Sequence, residues 1–142
     1  TVTIQKELAD RMVARPKTKD YSSLSIWMQS QCRTRILRVM APTVFWPRPK
    51  VTSAIVQVTL DQGLRDRIPD RAYFHQFVRS MFFHRRKFLR SELLSAYKKR
   101  LGKPEVDTVM NKMNLIPTAR AEELSVKQIL ALCTRMKAIA GD

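Results

Sequence analysis

Apolar positions along this chain fall into two regimes. Up to about residue 60, helical and strand-like spacings alternate. Leu8, Met12 and Val13 share one face of a helix expected over residues 5–14, with Lys6, Asp10 and Arg11 elsewhere on it, and Pro16 ends it. Ser22 or Ser23 is placed to cap a second helix running to about Arg33 and burying Leu24, Trp27, Met28 and Cys32. Ile36–Met40 and Val51–Leu60 read as strands. In the second, Ala54, Val56, Val58 and Leu60 lie on one face, while Val51 and Ile55 lie on the other, so both faces are partly apolar. Joined by the proline-rich stretch Pro42–Lys50, these two strands are expected to pair antiparallel. The opening Thr1-Val2-Thr3-Ile4 has the β-branched look of a strand's end and lacks an initiator Met, so the chain is expected to begin mid-fold.

Beyond Leu60 the spacing is helical. Phe74, Phe77, Val78, Met81 and Phe82 mark one amphipathic stripe, and Leu89, Leu93, Leu94, Tyr97 and Leu101 a second, closed by Gly102 as a C-cap. Pro104 opens a third helix with Val106, Val109, Met110 and Met113 inward. Ser125 and Gln128 make a capping box for a last helix that turns Ile129, Leu130, Cys133 and Met136 inward. The expected organisation is therefore an α/β portion over residues 1–60 followed by a small all-α domain over residues 61–142.

Charge changes this picture. The 142 residues carry 27 Lys and Arg against 12 Asp and Glu, a net +15, with the excess spread over both halves. Such a field attracts polyanions, of which nucleic acid is the commonest. Apolar residues make up 44% and charged residues 27%, a soluble globular profile, and no apolar run is long enough to span a membrane. Cys32 and Cys133 lie far apart, each in an apolar helical pattern, and with only His75 and His84 beside them no metal site is expected. Free thiols and the lack of a signal-peptide pattern suit a reducing, cytoplasmic setting.

Two segments carry candidate chemistry. In Phe45-Trp46-Pro47-Arg48-Pro49-Lys50-Val51-Thr52-Ser53-Ala54 the alternating prolines make a stiff, extended rim at a strand's end. An aromatic held there can stack on an unpaired base, worth about 1–3 kcal/mol, with Arg48 and Lys50 on flanking phosphates. The competing structural reading packs Phe45 and Trp46 beneath the loop. The second segment is Phe82-Phe83-His84-Arg85-Arg86-Lys87-Phe88-Leu89-Arg90. From Arg79 to Arg100 there are eight basic residues and one acid, Glu92. On a continuous helix His75, Arg79, Arg86 and Arg90 fall on one face, a basic stripe suited to a phosphate backbone; the plain alternative is a solvated helix face.

The proline loop resembles the F-x-P-x-P-K-V-x-S-A motif of the rRNA adenine N6-methyltransferases, both the KsgA/RsmA dimethylases and the Erm enzymes. Other segments agree in order. Ile4-Gln5-Lys6-Glu7 resembles the family's Q-K-E at the end of a central strand. Residues 16–25 resemble its P-G-x-K-x-Y-G-R-L-S stretch, with Lys17 and Ser22 where glycines are usual and Ser23 where arginine is usual. The basic segment is similar to N-x-R-R-K-x-x-R-N-x-L of the KsgA/RsmA C-terminal domain without its asparagines, and residues 120–125 to R-A-E-x-L-S before the last helix. The resemblance implies the end of a class I methyltransferase, Rossmann-like sheet followed by a helical RNA-binding domain. It implies that Phe45 stacks the target adenine; the single sign of charge in the loop and the basic segment puts Arg48, Lys50, Arg79, Arg85, Arg86, Lys87 and Arg90 against RNA. The activity implied is S-adenosylmethionine-dependent N6,N6-dimethylation of adjacent adenines near the 3′ end of small-subunit rRNA during ribosome biogenesis. The partner would be the immature small ribosomal subunit and the enzyme a monomer. An Erm-type enzyme acting on large-subunit rRNA is the nearer alternative. A standalone helical nucleic-acid-binding module, with residues 85–101 and 104–113 mimicking a helix-turn-helix, is the more distant one.

The family's donor-binding features, a glycine-rich turn and an acidic residue at strand ends, and its N-[IL]-P-[YF] motif, find no counterpart here; Gly63, Gly102 and Gly141 stand apart. The chain is therefore expected to be the C-terminal part of such an enzyme, inactive alone and without a metal.

Overall fold

The computed structural model describes residues 1–141. Two compact units divide it, Thr1–Pro69 and Asp70–Asp142. Residues 61–69 thus go with the first unit rather than opening the second.

The first unit is built on a three-stranded antiparallel sheet in the order β1–β3–β2, with β1 at Val2–Gln5, β2 at Cys32–Met40 and β3 at Ser53–Leu60. On β3 the alternation works as the sequence implies: Ala54 and Val56 are fully buried, Val58 is half-buried and Leu60 emerges into solvent. Helix α1, Lys6–Val13, lays Ala9 and Met12 onto Ala54 and Val56, and Ile4, Leu24, Met28, Ile36 and Val58 pack around them. Fully burying a side chain of the size of Val56 contributes about 1.5–3 kcal/mol.

Helix α2 covers Ser23–Gln29 and stops four residues before the expected Arg33. Cys32 therefore lies on a strand and not in a helix. The reason is tertiary. Asp61 donates its backbone N–H to the Gln31 carbonyl at 2.9 Å, and the Arg33 guanidinium meets the Asp61 carboxylate at 2.9 Å. Together they hold residues 31–33 against the end of β3, so that Cys32 pairs with Leu60 and β2 runs its full length. A bulge at Leu37 sits between the pairs Ile36–Val56 and Arg38–Ile55. It interrupts the two-residue alternation, which is why only the stretch from Ile36 onward looks like a strand in the sequence. After β3 the short helix α3, Gln62–Asp66, closes the unit.

The loop between α1 and α2 turns on Lys17, whose φ of 69° lies in the left-handed region that favours glycine. Ser22, the other position where glycine is usual in the motif, has φ −152° and is ordinary extended backbone. Its N–H donates to Ser25 Oγ at 3.0 Å, and that hydroxyl in turn donates to the Arg11 carbonyl, fastening α2 to α1.

In the second unit the described elements are all helical. They are α4 (Arg71–Met81), α5 (Leu89–Ala96), α6 (Lys103–Lys112), a 3₁₀ turn at Ala121–Glu123 and α7 (Val126–Ala140). The stripes Phe74, Phe77, Val78 and Met81, then Leu89 and Leu93, then Val106, Val109 and Met110, are buried. On α7 the inward set is Ile129, Leu132, Cys133 and Met136, so Leu132 takes the place expected for Leu130. Ser125 caps α7 as expected, its Oγ accepting from Gln128 N at 3.2 Å while Gln128 Oε1 accepts from Ser125 N at 2.8 Å.

Two expectations fail here. Gly102 is not the C-cap of α5 but the N-cap of α6, its N–H donated to Glu105 Oε2 at 2.9 Å. Helix α5 has already ended at Ala96, where buried Tyr97 meets Tyr73 hydroxyl to hydroxyl at 2.6 Å. Nor is there a continuous helix through residues 75–101. Helix α4 ends at Met81, residues 82–88 form turns, and α5 restarts with Phe88 extended and Leu89 N–H bonded to the Ala119 carbonyl at 2.8 Å. Burying Leu89 and Leu93 requires a new helix direction, so the 4, 7, 4 spacing of His75, Arg79, Arg86 and Arg90 does not define one face.

Replacing Lys17 by glycine is expected to stabilise the chain by up to about 1 kcal/mol. The relief of a left-handed non-glycine residue, about 1–2 kcal/mol, is partly offset by the extra backbone entropy of glycine. Urea unfolding of Lys17→Gly checks it, and a lower midpoint than the parent's contradicts a strained Lys17.

Candidate nucleic-acid interface

Register decides where the proline loop emerges. Gln5, Ser53 and Met40 stand abreast across the sheet, so the 41–52 connection leaves it at the carboxyl end of β1. Lys6 N–H donates to the Thr52 carbonyl at 2.9 Å, tying the loop's return to the start of α1. The Gln5-Lys6-Glu7 segment and the proline loop therefore share one end of the sheet. In open α/β sheets that carboxyl end is where ligands bind.

Within the loop, Pro42–Val44 forms a 3₁₀ turn, with Phe45 N–H bonded to the Pro42 carbonyl at 3.3 Å, and Phe45 then turns extended at φ −109°, ψ 151°. The Trp46–Pro47 peptide is cis. Phe45 is half-buried. Trp46 is 96% exposed, so the reading in which both aromatics pack beneath the loop fails for Trp46. Arg48 and Lys50 sit on the same rim. The exposed indole is the feature sequence reasoning passed over; its place between Phe45 and Pro47 was the signal that could have found it.

In the second unit the basic residues divide by partner. Arg90 reaches Asp107 through two bonds, Nε to Oδ1 at 2.7 Å and Nη2 to Oδ2 at 3.2 Å, a fork that clamps α5 to α6. Arg85 meets Glu122 at 3.1 Å. Arg86 and Lys87 project into solvent from the 82–88 turns, and Arg79 is exposed on α4. Phe83 is 71% exposed and stands edge-on to the His84 ring at 4.7 Å. Behind it Glu92 is buried, its Oε1 3.4 Å from His84 Nδ1. Arg85, Arg86 and Lys87 are thus brought together on a turn, with Arg79 and Arg90 on the helices either side of it, and Arg85 and Arg90 are committed to ion pairs.

Electrostatics follow from these contacts. The Arg90 hydrogen bond holds the Asp107 carboxyl below the usual carboxylate value. Burial pushes the Cys133 thiol up to about 12, which makes it inert as a nucleophile. Among the described residues no group of three His, Cys, Asp or Glu side chains is placed to hold a metal ion, and no helix is long and apolar enough to cross a membrane.

Comparison with known proteins gives a consistent result. The family model for ribosomal RNA adenine dimethylase matches residues 1–137. The ribosomal RNA small subunit methyltransferase A of Anaplasma phagocytophilum is 39% identical over 134 residues, 94% of this chain and 47% of the relative. That of Lactococcus lactis is 37% identical over 131 residues, 92% of this chain and 44% of the relative. The chain thus spans about half the length of these relatives. Among solved structures, a dimethyladenosine transferase from Plasmodium falciparum superposes with a TM-score of 0.83 at 20% identity, covering 97% of this chain and 57% of that one. The 23S rRNA methyltransferase ErmE superposes less well, with a TM-score of 0.56 at 19% identity over 95% of this chain and 53% of that one.

The Arg90–Asp107 fork is a structural clamp. Arg90→Ala and Asp107→Asn are each expected to lower the melting temperature at neutral pH, and the double variant to lose little more than either alone. Because the folded Asp107 carboxyl titrates below its ordinary value, its contribution is present above about pH 4 and is lost as pH falls through the lowered folded value. Melting curves of the parent and Asp107→Asn on acidification test this; a difference between them that does not shrink contradicts the assignment.

Proposed function

The chain belongs to the ribosomal RNA adenine dimethylase family, and on that premise we propose that it is the RNA-facing part of a small-subunit rRNA adenine-N6,N6-dimethyltransferase. The carrying observation is the half-buried Phe45, held on a proline-braced rim at the carboxyl end of β1 beside Gln5-Lys6-Glu7. Within the longer enzyme this sheet is the last part of a Rossmann-like methyltransferase sheet, and the substrate is an adenine extruded from the rRNA of an immature small subunit in the cytoplasm. The poorer superposition on ErmE and the small-subunit relatives favour this over a large-subunit target.

Phe45 offers a π-face to the flipped base, and Arg48 and Lys50 neutralise the phosphates on either side of it. Trp46, next to Phe45 and far more exposed, is placed to meet a neighbouring base. Arg79, Arg86 and Lys87 on the helical unit add sequence-independent phosphate contacts, which position the particle without reading it. Arg85 and Arg90 contribute less, because their guanidinium groups already serve Glu122 and Asp107.

The methyl donor in this chemistry is S-adenosylmethionine, which supplies an electrophilic methyl to the adenine N6. This chain's residues do not fit it. Among the described residues Gly63 lies in α3, Gly102 at the start of α6 and Gly141 after α7, so no glycine turn stands at the carboxyl end of β1. Donor binding belongs to the remainder of a full-length enzyme, and the 142-residue chain alone is expected to transfer no methyl from labelled S-adenosylmethionine to small ribosomal subunits. Turnover above background overturns the assignment of the donor site to another segment.

In the full-length enzyme Phe45→Ala is expected to slow single-turnover methylation roughly 5- to 150-fold, the equivalent of about 1–3 kcal/mol of stacking realised only once the base is flipped. Particle affinity and melting temperature should stay near the parent's, and Phe45→Tyr should keep most of the rate. Trp46→Ala should cost less, since Trp46 touches a neighbour and not the reacting base. A stable, binding-competent Phe45→Ala enzyme with a normal rate rules out the stacking role.

A further inference from the structure

Two cavities in the helical unit adjoin each other. One, of about 420 Å³, is floored by Tyr73, Phe77 and Tyr97 and edged by Lys98, Lys99 and Arg100. The other, of about 500 Å³, is edged by Arg79, Phe83 and His84. Gln76, Ser80, Ser95 and Ala96 line both, so the two form one groove between α4 and the end of α5, divided by a shared wall of small and polar side chains. Neither Lys98, Lys99 and Arg100 nor the groove itself is needed by the adenine-stacking loop, which belongs to the other unit.

The lining is specific in kind. Lys98, Lys99 and Arg100 line one cavity with the aromatic residues Tyr73, Phe77 and Tyr97, and Arg79 lines the other with the 71%-exposed Phe83. The one acid on either lining, Glu92, is 5% exposed and turned toward His84, so it presents little negative charge to an occupant. Charged side chains are depleted from the centres of protein–protein interfaces, which disfavours an apolar protein segment as occupant. A paired RNA helix keeps its bases inside and cannot fill such slots, whereas an unpaired strand can insert bases while its phosphates track the cations.

We propose that the α4–α5 groove binds an unpaired RNA strand, with one base in each cavity and the intervening backbone neutralised by Lys98 and Lys99 at one end and Arg79 at the other. The proposal rests on the reading of this chain as RNA-binding and adds a second, single-strand-specific site to it.

The test uses the 142-residue chain with a fluorescein-labelled oligouridylate of about ten nucleotides and, in parallel, a blunt RNA duplex of about 16 base pairs. The Lys98→Ala/Lys99→Ala variant is expected to bind the oligouridylate about 5-fold or more weakly at low salt. The slope of log affinity against log salt should fall by about 0.7 for each phosphate that is no longer neutralised. Duplex affinity should change by less than about twofold. Phe83→Ala should weaken oligouridylate binding by about 5-fold or more, and Phe83→Tyr should restore it, because the stacking face survives. These are surface positions, and melting curves matching the parent's establish that each variant is folded. The Arg86→Ala/Lys87→Ala variant, altered outside the groove, separates the two readings. If it weakens duplex binding while neither the Lys98/Lys99 variant nor Phe83→Ala changes oligouridylate binding, the groove proposal falls and the RNA reading stands. If the parent chain binds neither RNA, both fall. If polyglutamate displaces the oligouridylate and Phe83→Ala is without effect, the groove is a general polyanion patch and the proposal is overturned.

Discussion

The first unit depends on one strand. β3 is hydrogen-bonded on both sides, to β1 across Val2–Gln5 and to β2 along its whole length. It also supplies Ala54 and Val56, the sheet's fully buried residues, as the floor on which α1 rests. Small side chains at Ala9 and Ala54 let helix and sheet approach closely, and a well-packed contact of this kind tolerates little added volume. Once β3 is in place, the end of β1, the start of α1 and the mouth of the proline loop are brought to one edge, because Gln5, Ser53 and Met40 share a register. The position of Phe45 is therefore a consequence of strand pairing more than of anything in its own loop.

In the helical unit the constraint is different. Its core is a set of helical stripes, and its surface carries more positive charge than stability needs. Part of that charge is used internally. Arg90 clamps α5 to α6 through Asp107, Arg85 anchors the 82–88 turns to Glu122, and Lys137 pairs with Asp70 at the start of α4. What remains on the outside, Arg79, Arg86, Lys87, Lys98 and Lys99 among it, is charge that a polyanion can meet. Whether a cation is committed to an internal ion pair turns on what lies within about 3 Å of it, and neighbours in the sequence such as exposed Lys87 and paired Arg90 fall on opposite sides of that division.

The break between α4 and α5 illustrates why the two roles coexist. Continuing the helix would keep a basic face but leave Leu89 and Leu93 without a place in the core. Turning the chain at residues 82–88 buries both leucines and lifts Phe83, Arg86 and Lys87 off any helix face onto a projecting turn. The turn thus leaves an exposed phenylalanine beside exposed cations.

Periodicity and local chemistry alone determined a good deal here. The inward stripes of α4 and α6, the Pro104 start of α6, the Ser125–Gln128 cap and the alternating face of β3 all depend on residues within one or two turns of each other, and they are found except at the ends, where Phe82 and Met113 are only half-buried and Leu60 is exposed. The family was legible too, because its motifs are short runs that keep their order and most of their residues despite departures such as Lys17, Ser22 and Ser23. Tertiary structure decided the rest. That Cys32 begins a strand depends on Gln31 and Arg33 meeting Asp61, some thirty residues away. That α5 ends at Ala96, short of Gly102, goes with Tyr97 meeting Tyr73 across the helical unit. That Arg90 is a clamp while Arg86 points into solvent depends on the approach of α6. Each of these outcomes is set by a contact between residues distant in the chain, whose energy enters only after the backbone has closed the intervening loop, and no pattern of neighbouring residues encodes that closure.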